Sequence, residues 1–353
     1  MRRIKTENRM RYWKLAAGIA LTAALFSGCT SERREQELSY RQLGIEYMQQ
    51  GSYTEAIVVF NQALSECSGK VGAVEIDICY YKAAAQYASG DVEGALETYD
   101  ALVGYDAKNA DARYMRGCLR LQTGDSNGAA EDFDAAVKQD AKNYELYVNI
   151  YENLAANGMA EEGASYLDRA FSIGGDEVED LTWRGRIYFL LGQNDNAIQE
   201  LKAALEKGSV DANLIMGEVC EAMGDEAAAG EYYQVFAESG EADPEVMNRL
   251  AGLAMRKQDY AGALTYVLQG LAMEQVPNRQ ELMRDQIVCL EYTGDFAGAW
   301  AVEQEYVALY PEDLEAQREY VFLKSRQVTD DVPVDIPAEV SSEESSEESG
   351  TEE

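Results

Sequence analysis

Small and large apolar positions recur along this chain at a nearly constant interval. With Gly44, Ala83, Gly117, Tyr151, Gly185, Gly217, Ala251 and Ile287 set in register, the steps between them are 39, 34, 34, 34, 32, 34 and 36 residues. Twelve residues after each stands a second, small position: Ala56, Ala95, Ala129, Gly163, Ala197, Ala229, Ala263 and Ala299. Four residues further on comes a large side chain in most units, namely Phe60, Tyr99, Phe133, Leu167, Leu201, Tyr233 and Val267. Residues four apart share a helix face. The pattern therefore predicts eight helix-turn-helix hairpins, in which small residues let helix A approach helix B and the large residue fills the gap between neighbouring hairpins.

The punctuation agrees with this period. Gly51, Gly90, Gly124, Gly158, Gly192, Gly224 and Gly294 fall seven positions after the registered residue, where helix A must stop and a left-handed backbone is cheapest for glycine. Asp91, Asp125, Asp225 and Asp295 follow directly and suit the start of helix B. The recurrent Gly-Asp-x-x-Gly-Ala at 90–95, 124–129 and 294–299 is thus turn chemistry. It lacks the Lys-Ser/Thr of a phosphate loop and the ligand spacing of a calcium loop. Gln258 replaces the turn glycine of the seventh unit, and Glu303 and Tyr306 replace a large apolar and a small residue in the eighth, so both hairpins are expected to pack atypically. Five extra residues lengthen the loop around Ser68 to Glu75, and Leu314 to Gln327 predicts a solvated capping helix.

Tyr40-x2-Leu43-Gly44-x2-Tyr47, followed by Ala56-x3-Phe60-x2-Ala63, resembles the tetratricopeptide-repeat family, and the resemblance extends over residues 37 to about 312. It implies an all-α superhelical solenoid of about eight repeats with a capping helix, which binds a protein or peptide partner in a concave groove lined by helix A. Counting the registered residue as position 8, the family's ligand-facing positions 2, 5, 9, 12 and 13 nominate Arg41, Tyr80, Tyr87, Tyr114, Arg186, Phe189, Met255, Arg256, Arg284 and Tyr292. Aromatic residues and arginine are enriched at interface hot spots. Position 2 is acidic in seven units, at Asp77, Asp111, Glu145, Glu179, Asp211, Glu245 and Glu281. Carboxylates in a first helical turn are favoured by the helix dipole, so these acids have a structural reading as well as a recognition one. The Lys and Asn of the family's carboxylate clamp are absent, since Arg41 and Ile45 stand there.

Both ends differ in composition from the repeats. Arg2, Arg3, Lys5, Arg9, Arg11 and Lys14 precede an uncharged run from Leu15 to Phe26. That is an export signal, and the run is short for a membrane span of about 20 residues. Leu25-Phe26-Ser27-Gly28-Cys29 resembles the lipobox of bacterial lipoproteins, with Phe26 in place of a small aliphatic residue. The resemblance implies that Cys29 becomes the lipidated first residue, carrying a diacylglyceryl thioether and an N-acyl chain. Removing residues 1–28 takes the formal charge from −34 to −39. At the other end, residues 328–353 hold ten acids, no base, Pro333 and Pro337, a composition that cannot form a core and is expected to be disordered.

Charge and residue inventory narrow the function further. The 64 acidic against 30 basic residues repel a phosphate backbone, so nucleic acid is not an expected partner. Without histidine, triad catalysis and histidine zinc sites are excluded, and the five cysteines after Cys29 have no close metal spacing. Cys67 and Cys79 flank the long loop and are candidates for a disulfide in an oxidising compartment. The expected organisation is a signal peptide over 1–28, a tether over 29–36, the repeat array with its cap over 37–327, and an acidic tail over 328–353. The expected function is a non-enzymatic, cofactor-free scaffold, lipid-anchored in the cell envelope. It would sit on the outer face of a Gram-positive plasma membrane or, because Thr30 is not the aspartate that retains lipoproteins at the inner membrane, at a Gram-negative outer membrane. Alternatives are an assembly factor for outer-membrane or pilus machinery, and a carboxylate-dependent cell-wall hydrolase.

Overall fold

The computed structural model describes residues 31–67, 71–240 and 242–327. Cys29, the segment read as an export signal and the acidic tail lie outside the described residues. Among those residues the chain forms seventeen helices and no strand, in two compact units. The first unit holds six hairpins: α1 (Ser31–Gln49) with α2 (Tyr53–Ser65), α3 (Ala73–Ser89) with α4 (Val92–Tyr105), and α5 (Ala110–Gln122) with α6 (Ser126–Gln139). These are followed by α7 (Tyr144–Ala156) with α8 (Ala160–Ala170), α9 (Val178–Leu190) with α10 (Asn194–Glu206), and α11 (Asp211–Ala222) with α12 (Glu226–Glu238). The second unit holds α13 (Pro244–Arg256) with α14 (Tyr260–Leu271), α15 (Arg279–Thr293) with α16 (Phe296–Leu309), and then α17 (Leu314–Gln327).

Small-to-large packing closes four of the six hairpins of the first unit. A Cβ at Gly44, Gly117 or Gly217 on helix A would strike the ring of Phe60, Phe133 or Tyr233 on helix B, and one at Gly185 would strike Leu201. All four of these large side chains are fully buried. The rings also reach forward: Phe60 stacks on Tyr81 of α3 at 5.9 Å, and Phe133 meets Tyr166 of α8 edge-on at 6.3 Å. One side chain therefore seals its own hairpin and joins it to the next, a wider role than the gap-filling expected of it.

The turns follow the sequence reading. The glycines seven positions on all have positive φ, from 72° at Gly192 to 91° at Gly90. Asp91, Asp125, Asp225 and Asp295 accept the amide hydrogens of Gly94, Gly128, Ala228 and Gly298 at 2.8–3.1 Å. A Cβ at Gly94, Gly128 or Gly298 would collide with that capping carboxylate, which explains the second glycine of the Gly-Asp-x-x-Gly-Ala motif.

Three expectations change. The seventh turn is ordinary, because Gln258 itself adopts φ 62° and its amide donates to Met255 O at 2.8 Å, as the amide of Gly224 does to Glu221 O at 3.0 Å. Helix α1 begins at Ser31, so most of the segment expected to be a tether is helical. Cys67 and Cys79 are thiols without a disulfide between them: Cys67 lies just past α2, whereas Cys79 sits within α3, where burial pushes its thiol up and keeps it protonated.

Candidate functional site

Helix A of one hairpin touches helix A of the next at α1 with α3, α5 with α7, α7 with α9 and α9 with α11, and in the second unit at α13 with α15. The nominated side chains lie on these A helices, yet the structure gives them different roles.

The arginines are largely occupied. In the first unit Arg41 on α1 pairs with Asp77 on α3 and lies 5.2 Å from the centre of the Tyr81 ring, and Arg186 on α9 pairs with Glu218 on α11. Arg284 on α15 pairs with Asp313 at 3.3 Å and Glu315 at 3.1 Å. Each pair links consecutive units, so these arginines act first as ties along the helix A side. Arg256 is exposed near the end of α13, with Met255 half-buried beside it.

The tyrosines divide as well. Tyr80 donates to Asn109 Oδ1 at 2.8 Å, and the same oxygen accepts from Ala112 N at 2.9 Å, so Tyr80 braces the cap of α5. Burial, and then the charge of Asp111, push its hydroxyl well above the usual range. Tyr114 is 7% exposed, packs 6.0 Å from Phe133, and accepts from Asn153 Nδ2 at 2.6 Å. That corrects its assignment: Tyr114 is a core residue, too deeply buried to serve as a contact for a partner. Tyr87 and Phe189 are half-buried on α3 and α9. In the second unit Tyr292 is 67% exposed and stacks on Tyr260 at 4.1 Å with only 7° between the rings. Tyr87, Phe189, Arg256 and the Tyr260–Tyr292 pair are thus the nominated groups, and their neighbour, that remain within reach of a ligand.

Of the seven position 2 acids, Asp111, Glu145, Glu179, Asp211, Glu245 and Glu281 lie in the first turn of their helices, as the dipole argument requires. Asp77 does not, because α3 starts early at Ala73, and it serves Arg41 instead. Burial, together with the nearby carboxylates of Asp140 and Glu145, raises the Asp111 carboxyl.

Two polar clusters escaped the sequence reading. Asp132 on α6 is 1% exposed and is surrounded by Arg113, Arg116 and Arg120 of α5, with Arg116 gripping both carboxylate oxygens at 2.6 and 2.8 Å. The spacing Arg113-x2-Arg116-x3-Arg120, which puts three guanidinium groups on one helix face, was the available signal. At the start of the first unit Arg34 bridges Glu37 at 2.7 Å and Glu75 at 2.9 Å, both carboxyls nearly buried. Burial raises Glu37, while hydrogen bonds from the α3 backbone and Gly72 help hold Glu75 low against its own burial.

Tandem helix-turn-helix units sealed by a small-to-large contact and tied through their A helices define a helical repeat protein of the solenoid class. Models of the tetratricopeptide repeat match residues 39–68, 81–144, 182–244 and 248–313, more than half of the chain, and the chain belongs to that family. Solved structures of similar fold include a tetratricopeptide repeat protein from Parabacteroides merdae, at 11% identity and TM-score 0.48, covering 72% of this chain and 99% of that one. The human IFIT1 dimer with PPP-AAAA is 15% identical at TM-score 0.50, covering 85% and 78%. Pseudomonas aeruginosa pilF is 20% identical at TM-score 0.42, covering 62% and 99%. No curated protein sequence matches the chain.

Proposed function

We propose that this chain is a protein-binding scaffold, tethered through Cys29 to an extracytoplasmic membrane face, that captures a protein or peptide partner on its helix A side. The carrying observation is that neighbouring A helices lie in contact within each unit, while Tyr87 and Phe189 in the first unit, and Tyr292 in the second, keep accessible aromatic surface. Partially exposed aromatic side chains on a rigid helical frame supply large contact area at low entropic cost. Changing Tyr87 and Phe189 together to Ala is expected to weaken partner capture from native membranes at least tenfold and to leave helicity unchanged. Capture at the original level would refute the placement.

The membrane part of the proposal rests on the sequence from Arg2 to Cys29. Cys29→Ser is expected to move the protein from the membrane fraction to the soluble one and to abolish incorporation of labelled palmitate; a variant that still sediments with membranes contradicts it. A hydrolase reading finds little support. The carboxyls with raised pKa, Glu37, Asp111 and Glu303, line neither of the shallow cavities at Gly192–Asn196 and Leu314–Val321, and Glu37 and Glu303 are buried.

A further inference from the structure

Where one hairpin of the array meets the next, the seam is apolar early in the chain and acidic at the last step. The residue sixteen places after a registered position faces the one two places before the next registered position: Phe60 stacks on Tyr81, and Leu201 shares a buried cluster with Ile215. Thirty-four residues after Ile287, Val321 takes the registered place in α17. The equivalent pair is then Glu303 on α16 and Glu319 on α17, two carboxyls where the first seam has two rings.

Glu303 is sealed inside this seam. It is 1% exposed, and neither of its oxygens has a hydrogen-bond partner among the described residues. The charges around it come from each element packed there: Glu291 and Arg284 from α15, Asp313 from the turn before α17, and Glu319 from α17. Arg284 is held by Asp313 at 3.3 Å and Glu315 at 3.1 Å. Tyr306, one turn along α16, donates to Asp313 Oδ2 at 2.7 Å and accepts from Gln280 Nε2 at 3.1 Å. Neither group turns to Glu303, and burial, with the three carboxylates adding to it, raises its carboxyl to about 7.

A carboxylate ionised without a partner in such a place must regain water. Helix α17 is the cover that yields most readily. It buries Ala316 and Leu323, whereas α15 buries Leu282, Met283, Ile287, Cys289 and Leu290. On the far side of α17 Leu314 and Val321 are each 66% exposed, so no described helix clamps it from beyond.

We propose that Glu303 is a pH-sensitive latch at the end of the array: α17 stays docked on α15 and α16 while Glu303 is neutral, and ionisation of Glu303 lifts α17 off and admits water to the seam. The latch closes on the acid side, because Glu303 holds its proton more tightly with α17 docked than with α17 away. Docking is therefore at full strength below about pH 4.5 and weakens as the pH rises through 7. Opening bares apolar side chains that share a cluster with Ala316 and Leu323, among them Met283, Ile287 and Leu290. The latch stands on the seam alone and is independent of the partner site on the A helices.

Hydrogen exchange of the full chain, read by mass spectrometry at about pH 5.5 and about pH 8 and corrected for intrinsic rates, tests the proposal. Amides of α17 are expected to lose about tenfold or more in protection at the higher pH, while those of α13 and α14 keep theirs. Glu303→Gln, neutral at both values and of the same shape, should keep α17 protected throughout. Glu319→Gln, which removes a facing charge at a half-buried position, should shrink the loss by about threefold and serves if the first variant does not fold. Protection of α17 that is the same at both pH values overturns the proposal. So does an equal loss from α13 to α17, which is unfolding of the whole unit, or a loss unchanged in either variant.

Discussion

Glu303 is the residue most at odds with its surroundings. It stands where other repeats place Phe60, Phe133 or Tyr233, is 1% exposed, and neither carboxylate oxygen has a hydrogen-bond partner. Burial first, then the charges of Glu319, Asp313 and Glu291, push its carboxyl up to about 7 from an ordinary 4.5, with Arg284 opposing weakly. A folded-state pKa above the unfolded one means that stability is fully present below about pH 4.5 and is lost as pH rises through 7. Thermal unfolding should therefore show Glu303→Gln gaining on the original chain between pH 4.5 and 8, by at most about 3 kcal/mol; a pH-independent difference would contradict this. Asp132 is the opposite case, a buried carboxylate fully met by three arginines. Asp132→Ala is expected to cost about 3 kcal/mol in denaturant unfolding, because it removes the buried charge that the three arginines share and leaves Arg116 only Asp100. The exposed Asp134–Arg169 pair should cost under about 1 kcal/mol when broken. Gln258 holds a left-handed backbone that disfavours an L side chain by about 1–2 kcal/mol, so Gln258→Gly should stabilise the second unit by up to about 1 kcal/mol.

At the scale of elements, hairpins, turns and caps were legible because they depend on residues near in sequence. Gly90, Asp91 and Gly94 specify a turn and a cap within five residues, and Gly44 with Phe60 specifies a hairpin within seventeen. The Gln258 turn was misread because the remaining pattern, with Asp259 capping at Gly262 N and Ala263 closing the hairpin, overrode one unfavourable residue. The candidate site was less legible. Which arginines are spent depends on acids 36 residues away for Arg41, 32 for Arg186 and 29 and 31 for Arg284. Tyr114 passed for a groove residue by repeat position, although the bulk of Phe133 and the amide of Asn153 enclose it. Position within a repeat states which face a side chain starts from; its neighbours decide whether any of it stays exposed.

At the scale of the whole molecule, charge governs how a partner is met. A chain of −34 favours encounter with basic surfaces, so association with a basic partner is expected to slow as ionic strength screens the attraction, with a Debye length of about 10 Å at 0.1 M salt. The central claim is that partners bind the helix A side. Its most direct measurement is site-specific photo-crosslinking in native membranes, with a benzophenone amino acid placed at Tyr87 or Phe189 and, as control, at exposed Val58 on helix B of the first hairpin. The account predicts the same crosslinked partner from Tyr87 and Phe189 and none from Val58. A partner captured from Val58 but from neither aromatic position would contradict it.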